Sequence, residues 1–97
     1  MSKNFVAELA EILKLLSNIE EQYNLVTFNQ TEKKIYYTIA TNLAHASKCN
    51  ISDLITSSGF SRSTIYKTLK KFENQGLIKM EQSCVDKREF NLDLIAT

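Results

Sequence analysis

Ninety-seven residues with a formal net charge of +1, two cysteines, one histidine and neither proline nor tryptophan suffice for one small domain, which buries roughly 60 to 70% of the surface its unfolded form exposes. Two cysteines and a lone histidine cannot furnish a disulfide scaffold or a four-ligand zinc site; with no glycine-rich phosphate loop and no paired nucleophile and base, the chain reads as no enzyme, without metal or cofactor. No apolar run approaches the ~20 residues of a bilayer span, and Glu8 and Glu11 interrupt the segment that a signal peptide would keep apolar, so a cytoplasmic protein off the membrane is expected.

From Asn4 to Tyr23, the residues Phe5, Leu9, Ile12, Leu16, Ile19 and Tyr23 follow one another at spacings of four and three. That repeat is helical and forms the seam of a coiled coil. Val6, Leu13 and Leu15 widen the stripe, while Glu8, Glu11, Lys14, Glu20, Glu21 and Gln22 occupy the other faces. A stripe this wide can pack on its own domain and still pair with a second copy. Residues 1–24 are therefore expected to be a dimerisation helix, with the six spaced residues as its interface.

Asn24 to Asn29 breaks the pattern and reads as a loop. A second helix is expected from about Thr31 to Ala46, with Asn29 or Thr31 as its cap and Ile35, Tyr36, Ile39 and Leu43 inward. His45 near its end suits the negative end of the helix dipole and needs no catalytic or ligand role. Cys49-Asn50-Ile51 is a linker able to contribute one β-bridge residue, and both cysteines are expected to be reduced thiols. Ser52 and Asp53 should open a short third helix that carries Leu54 and Ile55 and stops at Ser58-Gly59.

Phe60 then plugs a turn, and Ser61 is placed to cap a fourth helix whose buried face is Ile65, Leu69 and Phe72 and whose end is Gly76. Leu77 to Gln82 and Glu89 to Leu94 alternate apolar with polar, as half-buried strands of a hairpin do. The connection between them, Ser83 to Arg88, is polar apart from Val85. The fold class is accordingly mainly α (α+β): a winged helix-turn-helix over residues 30–97, preceded by the dimerisation helix, in a single domain spanning 1–97.

Charge is distributed to match. From Gly59 to Arg88 seven basic residues face three acidic ones, a local balance of +4 that leaves the remainder of the chain at −3. A positive face on an acidic body concentrates attraction for phosphate. With the apolar face of the fourth helix inward, Arg62, Ser63, Tyr66, Lys67, Lys70 and Lys71 remain outside, and no acid interrupts Phe60 to Phe72. Ser61, Arg62, Ser63 and Thr64 open this helix, where free amides and the positive dipole end favour anions. Ser63, Thr64 and Lys67 are placed to reach base edges, and Arg62 a base or a phosphate. Tyr66, Lys70 and Lys71 are assigned to phosphate.

The stretch Ile51 to Leu94 resembles the MarR/SarA family of bacterial winged-helix regulators. Asp86-Lys87-Arg88 stands where that family has its Asp-x-Arg wing signature, and Leu94 lies at the expected distance beyond it. Ser61 to Lys67 and Phe72 to Ile78 resemble the family's recognition helix and its exit into the sheet. The resemblance implies that Arg88, with Lys87 beside it, enters the minor groove and that Asp86 supports the wing; physically, a narrow A·T-rich groove attracts a guanidinium. Family members continue past the wing into long dimerisation helices, so in a chain ending at Thr97 the first helix is expected to supply the dimer contact. Together these readings predict a homodimer that regulates transcription by binding specific sites in double-stranded DNA. The effector, if there is one, is not encoded in any motif. Two alternatives stay open: a winged-helix module that binds protein, and a DNA-binding protein of plasmid or phage segregation or replication control.

Overall fold

The structure, a computed structural model, describes residues 3–85 and 89–95. Asp86, Lys87 and Arg88, the expected wing signature, lie outside the described residues. Four helices, α1 (Lys3–Gln22), α2 (Gln30–Ala46), α3 (Ile51–Ser58) and α4 (Arg62–Asn74), precede an antiparallel hairpin of β1 (Ile78–Gln82) and β2 (Phe90–Leu94). Ile78 pairs with Leu94, Met80 with Leu92 and Gln82 with Phe90. That register puts the apolar alternation of both strands on the same side, with Ile78 and Leu92 buried. Asn50 bridges to Asn91, and the Leu92 amide donates to the Cys49 carbonyl at 2.7 Å, which ties the linker before α3 to the second strand.

Local chemistry sets each boundary. Asn29 caps α2 in a reciprocal box: its side chain accepts from the Glu32 amide at 2.8 Å, and the Glu32 carboxylate accepts from the Asn29 amide at 2.9 Å. The third helix begins one residue earlier than expected. Asn50, in extended conformation, is its cap and accepts from the Asp53 amide at 2.7 Å. Starting at Ile51 allows Ile51 and Leu54, three residues apart, to be buried together. Gly59 (φ 77°) and Gly76 (φ 73°) both hold left-handed conformations at helix exits, as their positions in the sequence require.

The core joins α2, α3, α4 and the hairpin through Ile35, Ile39, Ile51, Leu54, Ile65, Leu69, Phe72 and Ile78, with Leu25 and Phe28 of the first loop closing one end. Phe72 is its hub, stacked on Phe28 at 5.1 Å between ring centroids and met edge-on by Tyr36 at 5.8 Å. Helix α1 stands apart: among the described residues no Cα of α1 comes within 8 Å of another helix or strand. It gives the molecule its 51 Å long axis against 24 and 23 Å across. No described helix is long and apolar enough to cross a membrane.

Candidate nucleic-acid interface

Helix α4 presents the candidate surface because its other side is fixed in the core. Ile65, Leu69 and Phe72 are buried as their spacing predicts, and Thr68, which the apolar pattern passes over, is buried with them. Ser61 caps the helix: the Thr64 amide donates to its Oγ at 3.3 Å, its hydroxyl donates to Thr64 Oγ1 at 3.0 Å, and Ser63 Oγ lies 3.3 Å away. The expected hydroxyl residues are thus gathered at the positive end of the helix dipole, where a phosphate or base edge would meet them.

Ser63, Lys67 and Lys70 are exposed and, at spacings of four and three, form one ridge along the helix. Arg62 is exposed beside the ridge, while Tyr66 and Thr64 are half-buried, Tyr66 packing against the core. Among the described residues Arg62 and Lys67 make no ion pair, and Lys70 has only an exposed contact with Glu73 at 3.9 Å. Such an exposed pair holds its charges weakly and leaves them available. Lys71, assigned by sequence to phosphate, turns instead to Glu32, its Nζ 2.6 Å from Oε2 and 5.2 Å from the Phe28 ring centroid. That hydrogen bond, with the Asn29 amide in support, holds the Glu32 carboxyl below the usual carboxylate range despite burial.

At the loop end of the hairpin, just before β2, Glu89 accepts from the Ser52 hydroxyl at 2.7 Å and from the Ser52 amide at 3.2 Å. These bonds hold its carboxyl low as well and fasten the loop end of the hairpin to the first turn of α3. Sequence reasoning passed over both carboxylates. Glu32 carried a usable signal, since it follows Asn29 by three residues as a capping box requires. Glu89 carried none, because its partner lies 37 residues away.

The expected dimer residues sit on the free helix. Phe5, Leu9, Ile12 and Ile19, with Val6, Leu13 and Leu15, are 44% to 60% exposed, while Leu16 and Tyr23 are half-buried near the body. Leu16 and Ile19 also line an apolar groove of about 320 Å³ completed by Tyr36, Tyr37, Leu94 and Ile95. The end of α1 is fastened through Glu20, which accepts from the Tyr37 hydroxyl and lies 3.4 Å from Lys33 Nζ. His45 is exposed at the end of α2, Cys49 is buried and Cys84 exposed.

The model of the MarR family matches residues 37–90, which runs from the middle of α2 through β1 and into β2. The chain belongs to the MarR family. Members of this family are transcriptional regulators and not enzymes. Solved structures share the fold: S. aureus MepR in complex with DNA, at a TM-score of 0.64 and 19% identity, covers 97% of this chain and is covered over 72% of its own length. MarR itself matches at 0.59 and 18%, over 94% of this chain and 64% of that one. The heme sensor PefR from Streptococcus agalactiae in complex with heme matches at 0.59 and 18%, over 98% and 65%. The chain thus spans about two thirds of the length of these MarR-family neighbours. Comparison with curated protein sequences finds no match.

Proposed function

We propose that this MarR-family protein is a cytoplasmic transcriptional regulator that binds specific sites in double-stranded DNA as a homodimer, α4 in the major groove and the hairpin tip in the minor groove. One observation carries the reading: a capped helix whose inner face is locked in the core leaves Ser63, Lys67 and Lys70 on a single exposed ridge beside the Ser61 and Thr64 hydroxyls, with Arg62 and Lys67 in no ion pair among the described residues. The S. aureus relative solved with DNA supports the same use of the fold. Ser63, Thr64 and Lys67 would read base edges, while Tyr66 and Lys70 would hold phosphate. Arg62 would serve either. Lys87 and Arg88 would reach the adjacent minor groove, with Asp86 bracing them.

The homodimer rests on α1. Seven large apolar side chains in water on one helix form a patch of the kind that marks an interface, and residues 1–24 would pair there with a second copy as one domain with 30–97. Two recognition helices would then enter successive major grooves about 34 to 36 Å apart.

Salt titration tests the proposal. A dimer that neutralises roughly eight phosphates should lose on the order of 10³ to 10⁵ in affinity between about 50 and 200 mM salt. Affinity that stays flat over that range rejects it. Sites selected from randomised duplexes should be pseudo-palindromic; Lys67→Ala should relax their sequence preference, whereas Arg88→Ala should weaken binding most where the flanks are A·T-rich.

A further inference from the structure

The geometry points to Glu32 and Lys71 as a positioning pair, which keys the recognition helix to the start of α2 and withdraws Lys71 from the phosphates that its neighbours would touch. The inference rests on the DNA-binding reading of α4 and assigns one of its exposed lysines a different task.

One carboxylate makes two attachments. Glu32 Oε1 accepts from the Asn29 amide at 2.9 Å and so closes the cap of α2; Oε2 accepts from Lys71 Nζ at 2.6 Å and so reaches the third turn of α4. Only 12% of the Glu32 side chain is exposed. Its position is therefore set by the loop before α2, and the lysine must come to it. The Lys71 ammonium also lies over Phe28, and Phe28 stacks on Phe72 of the same helix, so the core and the ion pair hold α4 at the same level. A half-turn of slip or roll in α4 would break both.

The pair has an electrostatic role as well. Glu32 lines a cleft between α2 and α4 whose other walls include Thr31, Thr64 and Lys67, two of which belong to the proposed base-reading set. An unneutralised carboxylate there would repel the phosphates that α4 must approach, and a buried charge without its partner is strongly unfavourable. Lys71 cancels it. Its charge is matched within the chain by Glu32 and adds no counterion release when DNA binds.

A double-mutant cycle read by DNA affinity and its salt slope separates this role from a phosphate contact. Lys71→Met strands the carboxylate and should weaken binding about tenfold or more. Glu32→Gln/Lys71→Met removes both charges while the glutamine carbonyl still accepts from the Asn29 amide. It should restore affinity to within about threefold of wild type, with an unchanged salt slope. If Lys71 touches phosphate, the double variant stays as weak as Lys71→Met and its slope falls by about 0.9 per subunit, which overturns the inference while leaving the DNA-binding reading intact. A wild-type protein without salt-dependent DNA binding overturns both. Should Lys71→Met fail to fold by circular dichroism, the double variant against wild type still decides.

Discussion

Helix α1 and the body from Leu25 to Ile95 carry apolar residues at the same helical spacing and dispose of them in opposite ways. In the body, Ile35, Ile39, Ile65, Leu69 and Phe72 are wholly withdrawn from water; in α1 no described residue is buried, and Phe5, Leu9 and Ile12 face solvent. Periodicity therefore identifies which side of a helix is apolar and leaves open what covers it. The body closes its core with its own residues. In the proposed dimer, the helix gains most of its burial from a partner.

Substitutions of equal size in the two regions should separate them most sharply. Phe72→Ala removes the ring on which Phe28 and Tyr36 converge and should cost about 3 to 5 kcal/mol in denaturant unfolding. Ile12→Ala, on a side chain 60% exposed, should leave the unfolding of dilute monomer nearly unchanged. A loss at Ile12 comparable to that at Phe72, independent of protein concentration, would mean that α1 folds back on its own body.

Charge placed in the stripe tests the partner directly. Leu9→Glu/Ile12→Glu should convert a dimer to a monomer in sedimentation while the far-ultraviolet signal of the body persists. If the two half-sites are coupled only through α1, operator affinity should drop on the order of 10²-fold. Unchanged operator affinity would dissociate DNA binding from the helix. A smaller effect belongs to the body: Ser61→Ala removes the cap of α4 and should cost about 1 kcal/mol, measured by thermal melting, with no change in oligomeric state.

Features that arise within about four residues are legible in the sequence itself. Ser61 followed by a charged helix, Gly59 and Gly76 at helix exits, and the alternation of Ile78, Met80, Phe90 and Leu92 all encode their conformations locally. The start of α3 is less legible because Asn50, Ser52 and Asp53 are all good caps, and the burial of Ile51 with Leu54 chooses among them. Contacts between distant segments leave no trace in spacing. Ser52 with Glu89 and Glu32 with Lys71 are 37 and 39 residues apart, and nothing in a charged stripe tells which lysine a distant carboxylate will reach. Lys71 resembles Lys67 and Lys70 in sequence and differs only because α2 brings a carboxylate to it.

The joint between the two regions offers the finest test. Glu20, two residues before the end of α1, is held below the usual carboxylate range first by the Tyr37 hydroxyl and then by Lys33; burial and that same hydrogen bond push the Tyr37 phenol well up. A carboxyl with a depressed folded value binds fewer protons in the folded state, so its contribution is complete above the ordinary value near 4.5 and is lost as pH falls through the folded value. Tyr37→Phe removes the larger cause and leaves Lys33. The Glu20 carboxyl resonance should then titrate at higher pH than in wild type, and the Leu25 amide, bonded to the Glu20 carbonyl at 2.7 Å, should exchange faster as the medium becomes acidic. Exchange at Ile39 and Leu69 should not change, because Glu20 fastens the helix to the body and takes no part in the body's core. If the core amides accelerate together with Leu25, the two regions unfold as one unit and α1 is no separate module.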